Sequence, residues 1–260
     1  MKFYRVIVAI TACMWATSAA AVIVNEQIMQ KGQFTKADCQ SNSKEPDYDD
    51  CSCDADIRYP QVVGMADGQT QEKLNDWFRK QAAKTVCEGS AVAQPTKDSK
   101  TTKSHAALSV HYEVTFSSPQ LLAFKFTDWA YTGGAHGNGS VIGVIVDLSK
   151  GKLLSANDLF PAASMDAVNK AIYDALAAKP EEEIFRDQIE ARKGAFIKNG
   201  NCIGCTLTLT PAGVHVLFQT YEVAPYGAGN TDVLIPAQYV NYDAVKQALA
   251  EQKTPTTEKK

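Results

Sequence analysis

Between residues 105 and 117 the chain alternates with a period of two. In HAALSVHYEVTFSS, Leu108, Val110, Tyr112, Val114 and Phe116 alternate with His105, Ser109, His111, Glu113 and Thr115. That alternation predicts a strand with one buried face. LLAFKFTDWAY follows after the turn SPQ, and SVIGVIVDLSKGK supplies a third strand. Upstream, VIVNEQIMQ and ADIRYPQVVG read as two extended segments, with Pro60 suited to an edge or a bulge. Downstream, TLTLTPAGVHVLFQTYE reads as a hairpin turning at TPAG, and TDVLIPAQYV as a last strand. Helical spacing takes over elsewhere. DGQTQEKLNDWFRKQAAKTVC puts Leu74, Trp77, Phe78 and Ala82 on one face behind an Asp67 or Thr70 cap. SMDAVNKAIYDALAAK carries Val168, Ile172 and Leu176 at i, i+4 and i+8. EEEIFRDQIEARK reads as a more charged helix and NYDAVKQALAEQ as the last one. Residues 35–53 and 88–104 are polar connections, and KTPTTEKK is a frayed tail. Strands in consecutive hairpins with helices grouped between them predict an α+β fold of antiparallel sheets with packed helices.

The first residues change the reading of compartment. Lys2 and Arg5 precede an apolar run that fades into TSAAA, the pattern of a secretory signal cleaved after Ala20 or Ala21. The predicted address is the periplasm. ITAC offers a rival, a lipoprotein box in which Cys13 would carry lipid and tie the chain to a membrane. Losing the signal leaves six cysteines: Cys39, Cys51, Cys53, Cys87, Cys202 and Cys205. An even number in an exported chain predicts disulfides. CIGC is the self-contained pair, and the expected remainder is Cys39–Cys51 and Cys53–Cys87. A redox CxxC would need a thioredoxin-like strand and helix around it, and zinc would need further ligands at finger spacing. No metal or other cofactor is expected. Removing Lys2 and Arg5 leaves 24 basic against 29 acidic residues, a net of −5. A mildly acidic chain is a poor match to nucleic acid or anionic lipid and suits a basic partner.

Two stretches could carry chemistry. YTGGAHGN sets Gly133, Gly134 and Gly137 around His136, between two predicted strands. Glycines there permit a sharp connection or an anion nest. A phosphate loop would require a helix after the glycines, and a strand follows instead. His136 could serve a hydrolase with a distant carboxylate such as Asp128 or Asp232, or it could belong to a recognition edge. The second stretch, YEVAPYGAGNTDVLIP, presents Tyr221, Pro225 and Tyr226 in a kinked segment with aromatic handles.

Taken in order, RYPQVVG with EKLNDWF, YTGGAHGN, and YEVAPYGAG with VLIP resemble an exported module. It is shared by the RsiV anti-sigma factor and the accessory region of the PdaC peptidoglycan deacetylase. The resemblance covers roughly Val22 to Leu249. It implies an α+β fold with a PdaC-like N-terminal half, residues 22–104, an RsiV-like C-terminal half, residues 105–251, and a tail over 252–260. In RsiV the equivalent region binds lysozyme. Carried over by motif, the implied recognition residues are Tyr131, Gly133, Gly134, His136, Tyr221, Pro225 and Tyr226. The expected role is a non-catalytic envelope binder of lysozyme, another muramidase or peptidoglycan. A structural or assembly protein of the periplasm is the other non-enzymatic reading.

Overall fold

The structure, a computed structural model, describes residues 22–34, 51–85, 87, 104–132 and 135–253. The expected signal, Cys13, Cys39 and the tail beyond residue 253 lie outside them, as does the side chain of Cys51. The first layer contains β1 (Ile23–Phe34), β2 (Cys51–Val63), α1 (Gly68–Ala82), β3 (Ser104–Ser117), β4 (Leu121–Tyr131), β5 (Asn138–Asp147) and β6 (Lys152–Leu153). The strands form one six-stranded sheet in chain order, β1 to β6. Its pairs are antiparallel except β2 with β3, which run parallel. Parallel neighbours need a crossover, and α1 lies in it. β2 also begins earlier than the polar loop predicted over residues 35–53 allows. Cys51 to Ile57 pair with Ser104 to Val110, which draws the cysteine-rich segment into the sheet. Pro60 sits beyond that pairing, where β2 has β1 on one side only.

α1 covers one face. Asp67 caps it by accepting from the Gln69 amide at 3.0 Å. The predicted stripe points inward: Leu74, Phe78 and Ala82 are buried, and Trp77 packs beside them. Phe78 meets Phe124 edge-on at 4.8 Å, and the cluster extends through Phe126, Val144 and Val146. Past the helix end, Cys87 is disulfide-bonded to Cys53 of β2, with Cα atoms 6.0 Å apart. This is the pairing expected from the cysteine spacing.

Against the opposite face packs a second layer: α2 (Ala156–Leu159), α3 (Met165–Ala177), α4 (Arg186–Ala191), β7 (Ile197–Lys198), β8 (Asn201–Cys202), β9 (Cys205–Thr210), β10 (Gly213–Phe218), β11 (Thr231–Ile235) and α5 (Asp243–Lys253). β11, β10 and β9 make a three-stranded sheet, and β7 and β8 a small ribbon. Val168, Ile172 and Leu176 of α3 are buried against Phe196, Val214, Val216 and Phe218. The charged helix predicted from EEEIFRDQIEARK is shorter than its sequence suggests. A single 3-10 turn, Glu181–Glu183, precedes α4, because the Phe185 amide is taken by the Val223 carbonyl at 2.8 Å. Cys202 and Cys205 form the expected local disulfide across the β8–β9 turn.

β9 lies on the sheet with little side-chain volume between. The Gly143 amide donates to Thr206 Oγ1 at 2.9 Å. Thr208 Oγ1 donates to the Phe124 carbonyl at 3.1 Å and accepts from Thr115 at 2.8 Å. The Gln219 amide bonds both backbone groups of Val141, at 2.9 and 2.6 Å. A Cβ on Gly143 would be driven into the Leu207 backbone carbonyl, so the close approach requires glycine there. At the end of β5, Asp147 is 1% exposed and accepts from the Ser149 and Lys150 amides and the Tyr242 hydroxyl, tying the sheet to the segment leading into α5. A division between residues 104 and 105 would cut hydrogen-bonded sheet; the chain changes layer only after β6.

Candidate functional site

Strand alternation aims Trp129 and Tyr131 to the same face at the end of β4. Their rings stack with centroids 6.4 Å apart and planes 15° apart. The connection to β5 then folds back over Trp129. Gly137 lies against the indole so closely that a Cβ would collide with the ring. Gly133 and Gly134 lie outside the described residues. His136 is exposed, and its imidazole stacks on Tyr226 at 4.3 Å with planes 28° apart. Tyr226 in turn meets Tyr221 at 5.9 Å. Pro225 precedes the 3-10 turn Tyr226–Ala228 that presents this ring. Tyr221 is 48% exposed and holds a φ of +69°, a costly backbone for a bulky residue.

Two motifs far apart in the chain therefore meet in one aromatic ledge, from Tyr221 through Tyr226 to His136. Gly137, next in the chain, connects it to the Trp129–Tyr131 stack. Trp129 belongs to this arrangement, although the motif reading did not single it out. The signal was available, since Trp129 and Tyr131 are two residues apart on a strand and must share a face.

The structure does not bring His136 to either carboxylate considered for it. Asp128 points to the α1 side of the sheet and accepts from the Ser140 hydroxyl. Asp232 holds His215 instead, with Nδ1 at 2.8 and 3.0 Å from its two oxygens. The other nitrogen of His215 lies 3.0 Å from Thr210 Oγ1, which also accepts the Ala212 amide at 3.1 Å. His215 and Asp232 are diagonal neighbours on β10 and β11, a pairing set by strand register. His136 Nδ1 lies 2.9 Å from the Gly137 carbonyl and donates to it, which leaves Nε2 as the ring nitrogen open to a partner. Among the described residues, no group of three or more His, Cys, Asp and Glu could hold a metal ion, and no helix is long and apolar enough to cross a membrane.

Comparison with known proteins divides the chain between the same two layers. Residues 47–139 match the family model described as Deacetylase PdaC, and residues 157–238 match that of a protein of unknown function, DUF3298. The first match contains Trp129, Tyr131 and His136; the second contains Tyr221 and Tyr226. The peptidoglycan-N-acetylmuramic acid deacetylase PdaC of Bacillus subtilis is 25% identical over 193 residues, which is 70% of this chain. The chain spans about 40% of the length of that relative. A DUF3298 family member from Bacteroides fragilis superimposes with a TM-score of 0.58 at 17% identity, covering 90% of this chain and 98% of its own. A DUF3298 protein from Pseudomonas aeruginosa gives 0.50 at 13%, covering 86% and 96%. At such identities the likeness is one of fold.

Proposed function

We propose that this PdaC/DUF3298-like module of the cell envelope is a non-catalytic binding protein whose contact surface is the aromatic ledge. The matched families associate the chain with the envelope. The observation that carries the reading is the stack of Tyr221, Tyr226 and His136 at the junction of the two layers. Tyrosine offers large contact area for little conformational entropy. A strained, exposed Tyr221 is the kind of backbone outlier that collects at ligand clamps. The engagement of Asp128 and Asp232 elsewhere favours recognition over hydrolysis at His136.

The partner we infer is a lysozyme-like muramidase. Support comes from the resemblance to the lysozyme-binding region of RsiV and from the excess of 29 acidic over 26 basic residues, since lysozymes are commonly basic. Export to the periplasm fits the two disulfides, which persist in oxidising compartments. The test is calorimetry with a basic lysozyme, joined to a hydrolysis assay with the protein in excess. Binding heat and suppressed hydrolysis are expected. His136→Ala and Tyr226→Ala should each weaken binding by about 1–2 kcal/mol while leaving thermal unfolding in place. Full hydrolysis without binding heat would remove the lysozyme reading, and heat with isolated peptidoglycan would move the partner to the wall polymer.

A further inference from the structure

Tyr221 keeps its left-handed backbone in a turn that is held from both sides. Before it, the Gln219 amide donates to the Gly204 carbonyl at 3.1 Å, one step past the pairing of Cys205 with Phe218. After it, Arg192 Nη1 donates to the Glu222 carbonyl at 3.2 Å and to the Glu222 carboxylate at 3.1 Å. Arg192 Nη2 donates to the Ile203 carbonyl. The turn itself is closed by the Glu222 amide on the Gln219 carbonyl at 3.2 Å. Both holds end on Ile203 and Gly204, the two residues enclosed by the Cys202–Cys205 disulfide. The contact is close, since a Cβ on Gly204 would collide with the Glu222 side chain.

Arg192 transmits position well. Its guanidinium is planar, with donors fixed relative to one another. It lies over the rings of Phe196 and Phe218, 5.4 and 5.8 Å from their centroids. The direction of the Ile203 and Gly204 carbonyls is set by the loop that contains them. That loop is held by the disulfide, by the Ile203 amide on the Phe196 carbonyl at 2.8 Å, and by a β7–β8 ribbon only two residue pairs long. A bridge over so short a loop adds little to global stability, so its opening is a local event. It is also the more accessible of the two disulfides. Cys202 is half-buried, whereas Cys53 and Cys87 are each 1% exposed.

We infer that the Cys202–Cys205 disulfide is a redox-sensitive brace of the aromatic ledge, and that a dithiol reductant which opens it releases the Tyr221 turn and weakens binding there. The thiolate of the dithiol attacks Cys202 Sγ, the S–S bond breaks, and Cys205 leaves as a thiolate and takes a proton. The second thiol of the reductant resolves the mixed disulfide and frees Cys202 as a thiol. The protein gains two electrons and two protons, and the dithiol becomes a disulfide. Once the loop is open, the two carbonyls that hold the turn are no longer fixed. Tyr221 then relaxes from its costly backbone and loses its place against Tyr226. The effect on binding rests on the ledge being the contact surface; the coupling of loop to turn does not.

The experiment reduces the full chain stepwise with dithiothreitol, traps thiols with iodoacetamide for mass spectrometry, and follows amide hydrogen exchange by NMR. Cys202 and Cys205 should be labelled before Cys53 and Cys87. At that step the Gln219 and Glu222 amides should exchange roughly tenfold faster or more, with the amides of α1 unchanged. Arg192→Gln should speed the Glu222 amide in the oxidised chain, and reduction should then add less to it than in the unsubstituted chain, because the two changes break one path. Binding is tested without reductant, which spares the disulfides of the probe. The double variant Cys202→Ala/Cys205→Ala should bind a basic lysozyme roughly five- to tenfold more weakly than the oxidised chain. The exchange measurement needs no partner, so failure of the lysozyme reading and failure of the coupling are told apart. Unchanged protection of Gln219 and Glu222 after Cys202 and Cys205 are labelled, or fully additive effects of Arg192→Gln and reduction, would overturn the inference.

Discussion

α1 and β9 lie on opposite faces of the same sheet and hold it by opposite means. The α1 seam is filled with side-chain volume: Phe78, Leu74 and Trp77 interlock with Phe124 and Phe126. The β9 seam is nearly empty of it where the backbones come closest. There Gly143 lets the chains approach, and Thr206, Thr208 and Gln219 bridge backbone groups directly. The first seam is stabilised by burial of apolar area, which is tolerant of geometry. The second depends on hydrogen bonds between buried groups, which are modest when made and costly when one partner is lost. A seam of the second kind fixes position closely. It sets where the DUF3298-like layer ends on the sheet, and so where Tyr221 and Tyr226 meet His136.

The contrast can be broken by volume changes of opposite sign. Phe78→Ala empties the α1 seam and should cost about 3–5 kcal/mol in urea unfolding. Next comes the tether of that seam. Cys53→Ser opens a disulfide spanning 34 residues and should cost about 2–4 kcal/mol, whereas Cys202→Ser, whose bridge spans 3, should cost clearly less. Equal losses from the two cysteine variants would contradict the assignment. In the β9 seam the damaging change is addition. Gly143→Val should cost about 1–3 kcal/mol by pushing β5 from the Leu207 carbonyl, and should also weaken any binding at the ledge. If Gly143→Val proves silent, the close approach of β5 and β9 is wrong. Thr208→Val keeps the volume but strips two hydrogen bonds, at about 1–2 kcal/mol.

The smallest expected effect is a pH dependence in the second layer. Burial pushes the Asp158 carboxyl up, but hydrogen bonds from Lys152 and from the amide and hydroxyl of Ser155 outweigh it and bring the pKa from 3.8 to about 2. A carboxyl with a depressed folded value stabilises above its unfolded value, and that contribution is lost as pH falls from about 4 toward 2. Asp158→Asn should therefore cost about 1 kcal/mol at pH 7 and less at pH 2, measured as the urea midpoint at each pH. A variant that loses as much at pH 2 as at pH 7 would show that the carboxylate charge is not what stabilises this cap.

The two seams were not equally legible. Leu74, Phe78 and Ala82 recur at helical spacing, so the α1 face could be read from its own residues, together with the Asp67 cap. The alternation in β3 and β4 was equally local. The parallel pairing of β2 with β3 was not, because a strand's own pattern does not reveal which neighbour it joins. Nor was the shortening of the charged helix, which depends on Val223 capturing the Phe185 amide from 38 positions away. At the site, the motif resemblance named Tyr131, His136, Tyr221, Pro225 and Tyr226. It did not show that His136 stacks on Tyr226, or that Asp232 belongs to His215.

By itself the sequence determined most of the elements, the α+β class and the closure of CIGC, and it offered Cys53–Cys87 as one expected pairing among the fifteen that six cysteines allow. Each rests on periods of two or 3.6 residues, on capping residues or on cysteine spacing, all of which act over short stretches of chain. Only the tertiary structure decided which faces those elements cover. Contacts such as Gln219 with Val141, 78 residues apart, and Thr208 with Phe124, 84 apart, leave no periodic trace in either segment. The aromatic ledge is a product of that placement, because it brings Tyr226 and Tyr221 to His136 from segments far apart in the chain.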